Sequence, residues 1–173
     1  WEKGANTNVQ NSSGETPLFS AVKTDSVSTL RLLIQKGANI EIRDYLGNTA
    51  LHSCVRFDSK NTALVLMSSG IDVNAQNLSG KTALHEAART GKTAMVTLLL
   101  DNGANINSTD ATGKTVLIDS IHSGNIELVK MLLTKEKEVR AVILNIDPIT
   151  GDLIAQVNNQ RAIIAPKNIS MYE

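Results

Sequence analysis

Three kinds of residue in this chain carry side chains fit for chemistry. They are the histidines His52, His85 and His122, the single thiol of Cys54, and charged side chains that recur at a fixed interval. Histidine relays protons or ligates metals, and a cysteine thiolate attacks electrophiles. Neither finds the companions its chemistry needs. The chain has no second Cys, no His-Glu-x-x-His, no phosphate-binding glycine run and no nucleotide fingerprint. The sequence therefore points to no catalytic residue, no metal ligand set and no cofactor. Asn-x-Ser/Thr stands at Asn11, Asn77, Asn107 and Asn168, where Asn, Ser and Thr read as ordinary turn residues unless the protein is secreted from a glycosylating cell.

The recurring charges have more to say. Lys23, Arg56, Arg89 and His122 follow one another at intervals of 33 residues. Ser20, Ser53, Glu86 and Asp119 precede them, and Thr24, Phe57, Thr90 and Ser123 follow them, at the same interval. Such columns suit non-covalent recognition, provided the fold brings them onto one surface.

A tandem repeat is what positions them. The same shift of 33 aligns Gly14, Gly47, Gly80 and Gly113, then Thr16, Thr49, Thr82 and Thr115, then Leu18, Leu51, Leu84 and Leu117. Gly4, Gly37, Gly70 and Gly103 fall in register too, as do Leu33, Leu66, Leu99 and Leu132. Five families of positions sharing one period identify a solenoid. The units run over 11–43, 44–76 and 77–109, with the end of a truncated repeat at 1–10 and an incomplete last unit at 110–137.

Each unit can be read physically. Thr16-Pro17 starts a helix, the hydroxyl accepting an orphan N–H and the proline already set at helical φ. Small residues follow, so neighbouring helices can approach closely, and Cys54 is best read there as a buried apolar group. Gly91 and Gly124 end this short helix, whereas Asp25 and Asp58 hold that place in other units and predict less stable corners. A second helix runs through Leu30, Leu32, Leu33 and Ile34 and its equivalents, with one broad apolar face. Asn39-Ile-Glu-Ile, Asp72-Val-Asn-Ala and Asn105-Ile-Asn-Ser then lead to a glycine-containing turn and read as hairpin-like fingers. One unit cannot bury its apolar face alone, so the expectation is an all-α solenoid with β-hairpin fingers.

This pattern resembles the ankyrin repeat. The signature Gly-x-Thr-Pro-Leu-His-x-Ala is matched by Gly14-Glu-Thr-Pro-Leu-Phe-Ser-Ala21, Gly47-Asn-Thr-Ala-Leu-His-Ser-Cys54, Gly80-Lys-Thr-Ala-Leu-His-Glu-Ala87 and Gly113-Lys-Thr-Val-Leu-Ile-Asp-Ser120. The resemblance implies a curved stack with short helices lining a concave face, fingers beside it, and protein–protein binding without catalysis. It also implies that His52 and His85 are structural, bonding near Thr49 and Thr82. Stacking then sets the two histidines about 10 Å apart, too far for one metal. The last unit departs from the pattern, with Ile118 for His, Ser120 for Ala and Glu136 at the closing glycine.

Composition sets outer bounds. Hydrophobic residues make up 42% and aromatics 3% of the chain, so its core is aliphatic. Lys plus Arg (17) equals Asp plus Glu (17), and a formal charge of zero argues against bulk attraction to nucleic acid or anionic lipid. No stretch reaches the roughly 18 apolar residues of a membrane span. The lone Cys54 suits a reducing compartment such as the cytoplasm. Trp1-Glu-Lys-Gly4 aligns with Leu100-Asp-Asn-Gly103, which leads to the expectation of a further unit upstream.

Residues 138–173 abandon the period. Glu138 to Asp147 is β-branched, Pro148-Ile-Thr-Gly151 signals a turn, and Asp152 to Val157 is again strand-like, giving a β-hairpin reading. The other reading continues a helix from Lys135 to Leu144. Either way the tail is expected to shield the last repeat through Val139, Val142, Leu144 and Leu153, or else to begin a further domain.

The expected binding surface has two parts. Lys23, Arg56, Phe57, Glu86, Arg89, Asp119 and His122 are assigned to the concave face, and Arg43, Tyr45, Leu46, Gln76 and Leu78 to the finger tips. An exposed aromatic beside an arginine has the composition of a protein hot spot. The basic column predicts a protein partner whose contacted segment is acidic or rich in backbone carbonyls. The rival expectation is a spacer or regulatory segment of a larger protein, or a secreted effector, with a surface chosen for solubility.

Overall fold

The structure, a computed structural model, describes residues 4–135 together with the strand backbones 142–146, 153–157 and 160–164. The helices come in pairs: α1 (Pro17–Lys23) with α2 (Val27–Gln35), α3 (Ala50–Phe57) with α4 (Lys60–Ser68), α5 (Ala83–Arg89) with α6 (Thr93–Asp101), and α7 (Val116–His122) with α8 (Ile126–Lys135). None is longer than ten residues, too short to be helical alone in water, so their stability comes from stacking. The short helices pack in succession, α1 on α3, α3 on α5 and α5 on α7. One aliphatic core threads all the pairs, with Leu18, Leu51, Leu84 and Leu117 buried in register.

Close approach of the short helices depends on a column of small side chains, Ala21, Cys54, Ala87 and Ser120, all buried. Ser120 is the polar member, and its hydroxyl donates to the Leu117 carbonyl at 2.7 Å. Cys54 lies 3.7 Å from the Thr62 hydroxyl, and burial pushes its thiol up to about 12. It is a packing residue, not a nucleophile. No helix among the described residues is long and apolar enough to cross a membrane.

The recurring threonine stands at each helix start, but its hydroxyl accepts a helix N–H only at Thr82 and Thr115, from His85 and Ile118 at 3.4 Å. In the second and third units a histidine completes the cap: the Thr49 and Thr82 N–H groups each donate to the Nδ1 of His52 and His85 at 3.2 Å. That leaves the ring proton on Nε2, which donates across the repeat boundary to the Lys81 carbonyl at 2.9 Å and the Lys114 carbonyl at 3.2 Å. Phe19 takes this place in the first unit, and the buried Thr16 hydroxyl there has no partner among the described residues. Both histidines are held below the usual imidazole range, chiefly by burial.

Asp25 and Asp58 do adopt the left-handed conformation, at φ 47° and 57°. The weak corner expected at Asp25 is offset by contacts invisible in its own repeat. Its carboxylate accepts from the Thr62 N–H at 2.8 Å and hydroxyl at 3.0 Å, and from Asn61 at 2.7 Å. It therefore caps α4 of the next unit. Burial raises its pKa, but these hydrogen bonds outweigh burial and hold it below the usual carboxylate value.

The fingers differ from the expected β-hairpins. Within the fingers a single isolated bridge, Thr109 with Thr115, has β pairing. Each turn is closed by two backbone bonds, as Asp44 N–H to the Asn48 carbonyl and Gly47 N–H to the Asp44 carbonyl, both at 2.9 Å, and by one Asn or Asp side chain. Asp44 Oδ1 accepts from the Leu46 and Asn48 N–H groups, and Asn11, Asn77 and Asp110 repeat the arrangement. This side-chain turn takes up the amides that a ladder would have used. Successive fingers are joined by backbone bonds at their tips: Tyr45 N–H to the Ser13 carbonyl, Leu78 to Leu46 and Ala111 to Ser79, at 3.0–3.1 Å.

In the tail, β1 (Val142–Ile146), β2 (Leu153–Val157) and β3 (Gln160–Ile164) form an antiparallel sheet in the order β1-β2-β3. Its register slips between Ile143 and Asn145, and β3 lies alongside α7. The shielding contacts expected of Val139, Val142, Leu144 and Leu153, and the role of Glu136, fall outside the described side chains.

Two predictions follow from this packing. A Cβ at Gly80 runs into the Ala111 amide nitrogen, whereas one at Gly103 meets nothing within 4 Å, although both have positive φ (71° and 89°). Gly103→Ala carries conformational strain alone, about 1 kcal/mol. Gly80→Ala adds a backbone clash and is expected to cost about 1–3 kcal/mol more, read as the difference in urea-unfolding free energy. The second concerns pH. Because the folded pKa values of His52 and His85 are depressed, their contribution to stability is complete above the unfolded value of about 6.5 and is lost as pH falls through the folded values. The urea midpoint is expected to drop between pH 7.5 and 5, and the drop to shrink in a His52→Gln/His85→Gln chain.

Candidate functional site

Between the finger of the second repeat and the short helices α3 and α5 lies an open groove of about 300 Å³. Asp44 and Leu46 form its finger wall, Arg56 and Ser53 come from α3, and Glu86 and Arg89 from α5. The sequence columns thus meet on one surface because the stack repeats its geometry every unit. His52 also faces this groove, but both its ring nitrogens are engaged in the structural bonds described above. Among the described residues no three His, Cys, Asp or Glu side chains are grouped to hold a metal.

The charges around the groove divide into committed and uncommitted groups. Lys23 is committed, with Nζ 2.7 Å from Glu15 and 5.8 Å from the centre of the Phe57 ring. Hydrogen bonding from Lys23 holds the Glu15 carboxyl below its ordinary value. Lys92 caps the end of α3, donating to the Val55 and Arg56 carbonyls at 2.6 and 3.2 Å. Asp44 is held by its own turn. Arg56 and Arg89 are exposed, and among the described residues neither has a salt-bridge partner, nor does the half-buried Glu86. The Arg56 guanidinium sits 5.8 Å from the Phe57 ring centre, within cation–π range, and Phe57 remains 43% exposed.

Two expected face residues behave differently. Asp119 does not belong to the open surface: it is 3% exposed and pairs with Lys81 at 3.0 Å, with Asp110 3.8 Å from the same ammonium. Once that pairing of positions is known, the sequence sets this unit apart. The positions paired here are 38 apart, and the equivalent pairs are Glu15 with Ser53 and Asn48 with Glu86. Only Lys81 with Asp119 combines opposite charges. His122 is exposed, its Nδ1–H donating to the Ile118 carbonyl at 2.8 Å.

The finger tips divide in the same way. Arg43 donates to the Gln76 carbonyl and Gln76 to the Thr109 carbonyl, as Gln10 does to the Arg43 carbonyl. Arg43 and Gln76 thus link successive fingers while remaining exposed. Tyr45 and Leu78 lie over Gly14 and Gly47 of the preceding fingers yet stay 65% and 78% exposed. Leu46, 65% exposed, is the tip residue that lines the groove. Of the sequon asparagines, Asn11 and Asn77 hold finger turns, while Asn168 lies outside the described residues.

No curated protein matches the chain. The sequence profile described as ankyrin repeats (3 copies) matches residues 3–77 and again 66–142. Ankyrin repeats are in general protein–protein interaction modules, and the family is typically non-enzymatic. With paired helices at the repeat period and two profile matches that together span most of its length, the chain belongs to the ankyrin-repeat family.

Proposed function

We propose that the chain is a non-enzymatic protein-binding module that holds a segment of another protein in the groove between its fingers and short helices. The observation that carries this reading is the pair Arg56 and Arg89, two exposed guanidiniums one repeat apart on the wall of the same groove. Nearly every other cation nearby is tied to a carboxylate or a carbonyl of the stack, and Arg43 to a carbonyl of the next finger. Leu46 and Phe57 supply apolar surface beside them, with Tyr45 and Leu78 along the finger row.

The chemistry of the face favours protein over nucleic acid. Two guanidiniums and a carboxylate, on a chain of zero formal charge, do not make the extended phosphate-contacting surface that nucleic-acid affinity needs. They do suit a segment with a few carboxylates or exposed carbonyls. Neither Cys54 nor the paired histidines offers a reactive atom to such a ligand.

Selection of a random-peptide display library on the wild-type chain, followed by binding to the Arg56→Glu/Arg89→Glu variant, tests the assignment. Enriched peptides are expected to carry acidic residues and to lose about tenfold or more in affinity on the variant, with the melting temperature unchanged because both arginines are exposed. Peptides bound equally by both forms, or no enrichment at all, contradict the groove assignment.

A further inference from the structure

We infer that the groove reads the spacing of carboxylates on a polyproline-II segment, with acidic side chains at positions i and i+3 and uncharged residues between them. The inference rests on the groove reading above and adds the conformation and register of the ligand. Its basis is a match of two periods. Arg56 and Arg89 occupy equivalent places on α3 and α5, which pack directly on each other, so their attachment points repeat at the helix–helix distance of about 8–10 Å. A polyproline-II chain has three residues per turn and rises about 3.1 Å per residue. Residues i and i+3 therefore share one face about 9 Å apart, matching the arginine pitch. In a β-strand the same-face neighbours are i and i+2, about 6.8 Å apart, and this falls short of it.

Glu86 sharpens the requirement. It stands one turn before Arg89 on α5, lines the same groove and has no cationic partner among the described residues. A further carboxylate on the ligand beside the Arg89 anchor would meet it and be repelled. The site thus favours two spaced acids over a continuous acidic run, although the run carries more charge. A backbone without internal hydrogen bonds also leaves its carbonyls open to the guanidinium edges not engaged by carboxylates, and the exposed Leu46 offers an apolar surface to proline rings.

The test uses the full chain and three fluorescent proline-rich probes: one with two Glu at i and i+3, one with the same two Glu at i and i+2, and one with four consecutive Glu. Anisotropy titrations are expected to give about tenfold tighter binding of the i,i+3 probe than of the i,i+2 probe. The four-Glu probe is expected to bind no tighter than the i,i+3 probe, and to gain affinity on Glu86→Gln. Arg89→Glu should reduce the i,i+3 probe to the level of the i,i+2 probe. Equal affinity of the two spaced probes, preference for i,i+2, or affinity that simply rises with charge overturns the inference. If the spaced probes bind alike and both are lost on Arg56→Glu/Arg89→Glu, the groove reading stands and the spacing falls. Absence of binding by every probe also overturns the spacing, while the library selection decides the groove independently.

Discussion

Everything in this stack depends on how closely successive fingers approach. The amide of Tyr45 reaches the Ser13 carbonyl, Leu78 reaches Leu46, and Ala111 reaches Ser79. Each bond passes over a glycine of the earlier finger, where an added Cβ would stand 2.7 Å from the Tyr45 nitrogen at Gly14 and 2.9 Å from the Leu78 nitrogen at Gly47. Glycine is thus required by contact with the neighbouring unit as well as by its own turn. That contact sets the pitch of the fingers. The short helices must keep the same pitch, and the column of Ala21, Cys54, Ala87 and Ser120 lets them do so. The shared pitch in turn places Arg56 and Arg89 in one groove.

Polar side chains then tie one unit to the next. His52 and His85 span to carbonyls of the following unit, Asp25 caps the following α4, and Ser59 and Lys92 reach back to the Val22 and Val55 carbonyls. Asn8 and Asn74 bridge from one finger base to the next. A solenoid whose units interact only with neighbours gains its cooperativity from such interface contacts. They also decide which groups stay unengaged. Lys23, Arg43, Gln76, Lys92 and Asp119 are polar groups near the groove and fingers, yet each is engaged by the stack. Around the groove, Arg56, Arg89 and Glu86 have no salt-bridge partner among the described residues, and Leu46 is exposed beside them.

The repeat and its helix starts were legible because they depend on position within one unit. The structural place of His52 and His85 came from the resemblance to the ankyrin repeat, which implies a bond near Thr49 and Thr82. The roles of Asp25, Arg43 and Asp119 were not legible in the same way. Their partners lie 33 to 38 residues away, and periodicity shows which positions are equivalent without showing which side chains span between them. The scarcity of strand pairing in the fingers was not legible for a related reason. Alternating Ile and Asn suggests a strand pair, but an Asn or Asp at the turn can satisfy two amides by itself and displace the ladder. Exposure was well judged where no partner existed, as at Tyr45, Leu46, Phe57 and Leu78.

The central claim is that backbone contact between finger tips fixes the stack, and residue-resolved amide hydrogen exchange tests it most directly. Tyr45, Leu78 and Ala111 sit at exposed turn tips, where unbonded amides exchange freely. Arg43 and Gln76 are exposed on the same fingers, and their backbone amides have no acceptor among the described residues. The account predicts protection of the Tyr45, Leu78 and Ala111 amides well above that of Arg43 and Gln76, approaching that of the helices behind them. Exchange of all five at the same rapid rate would contradict it.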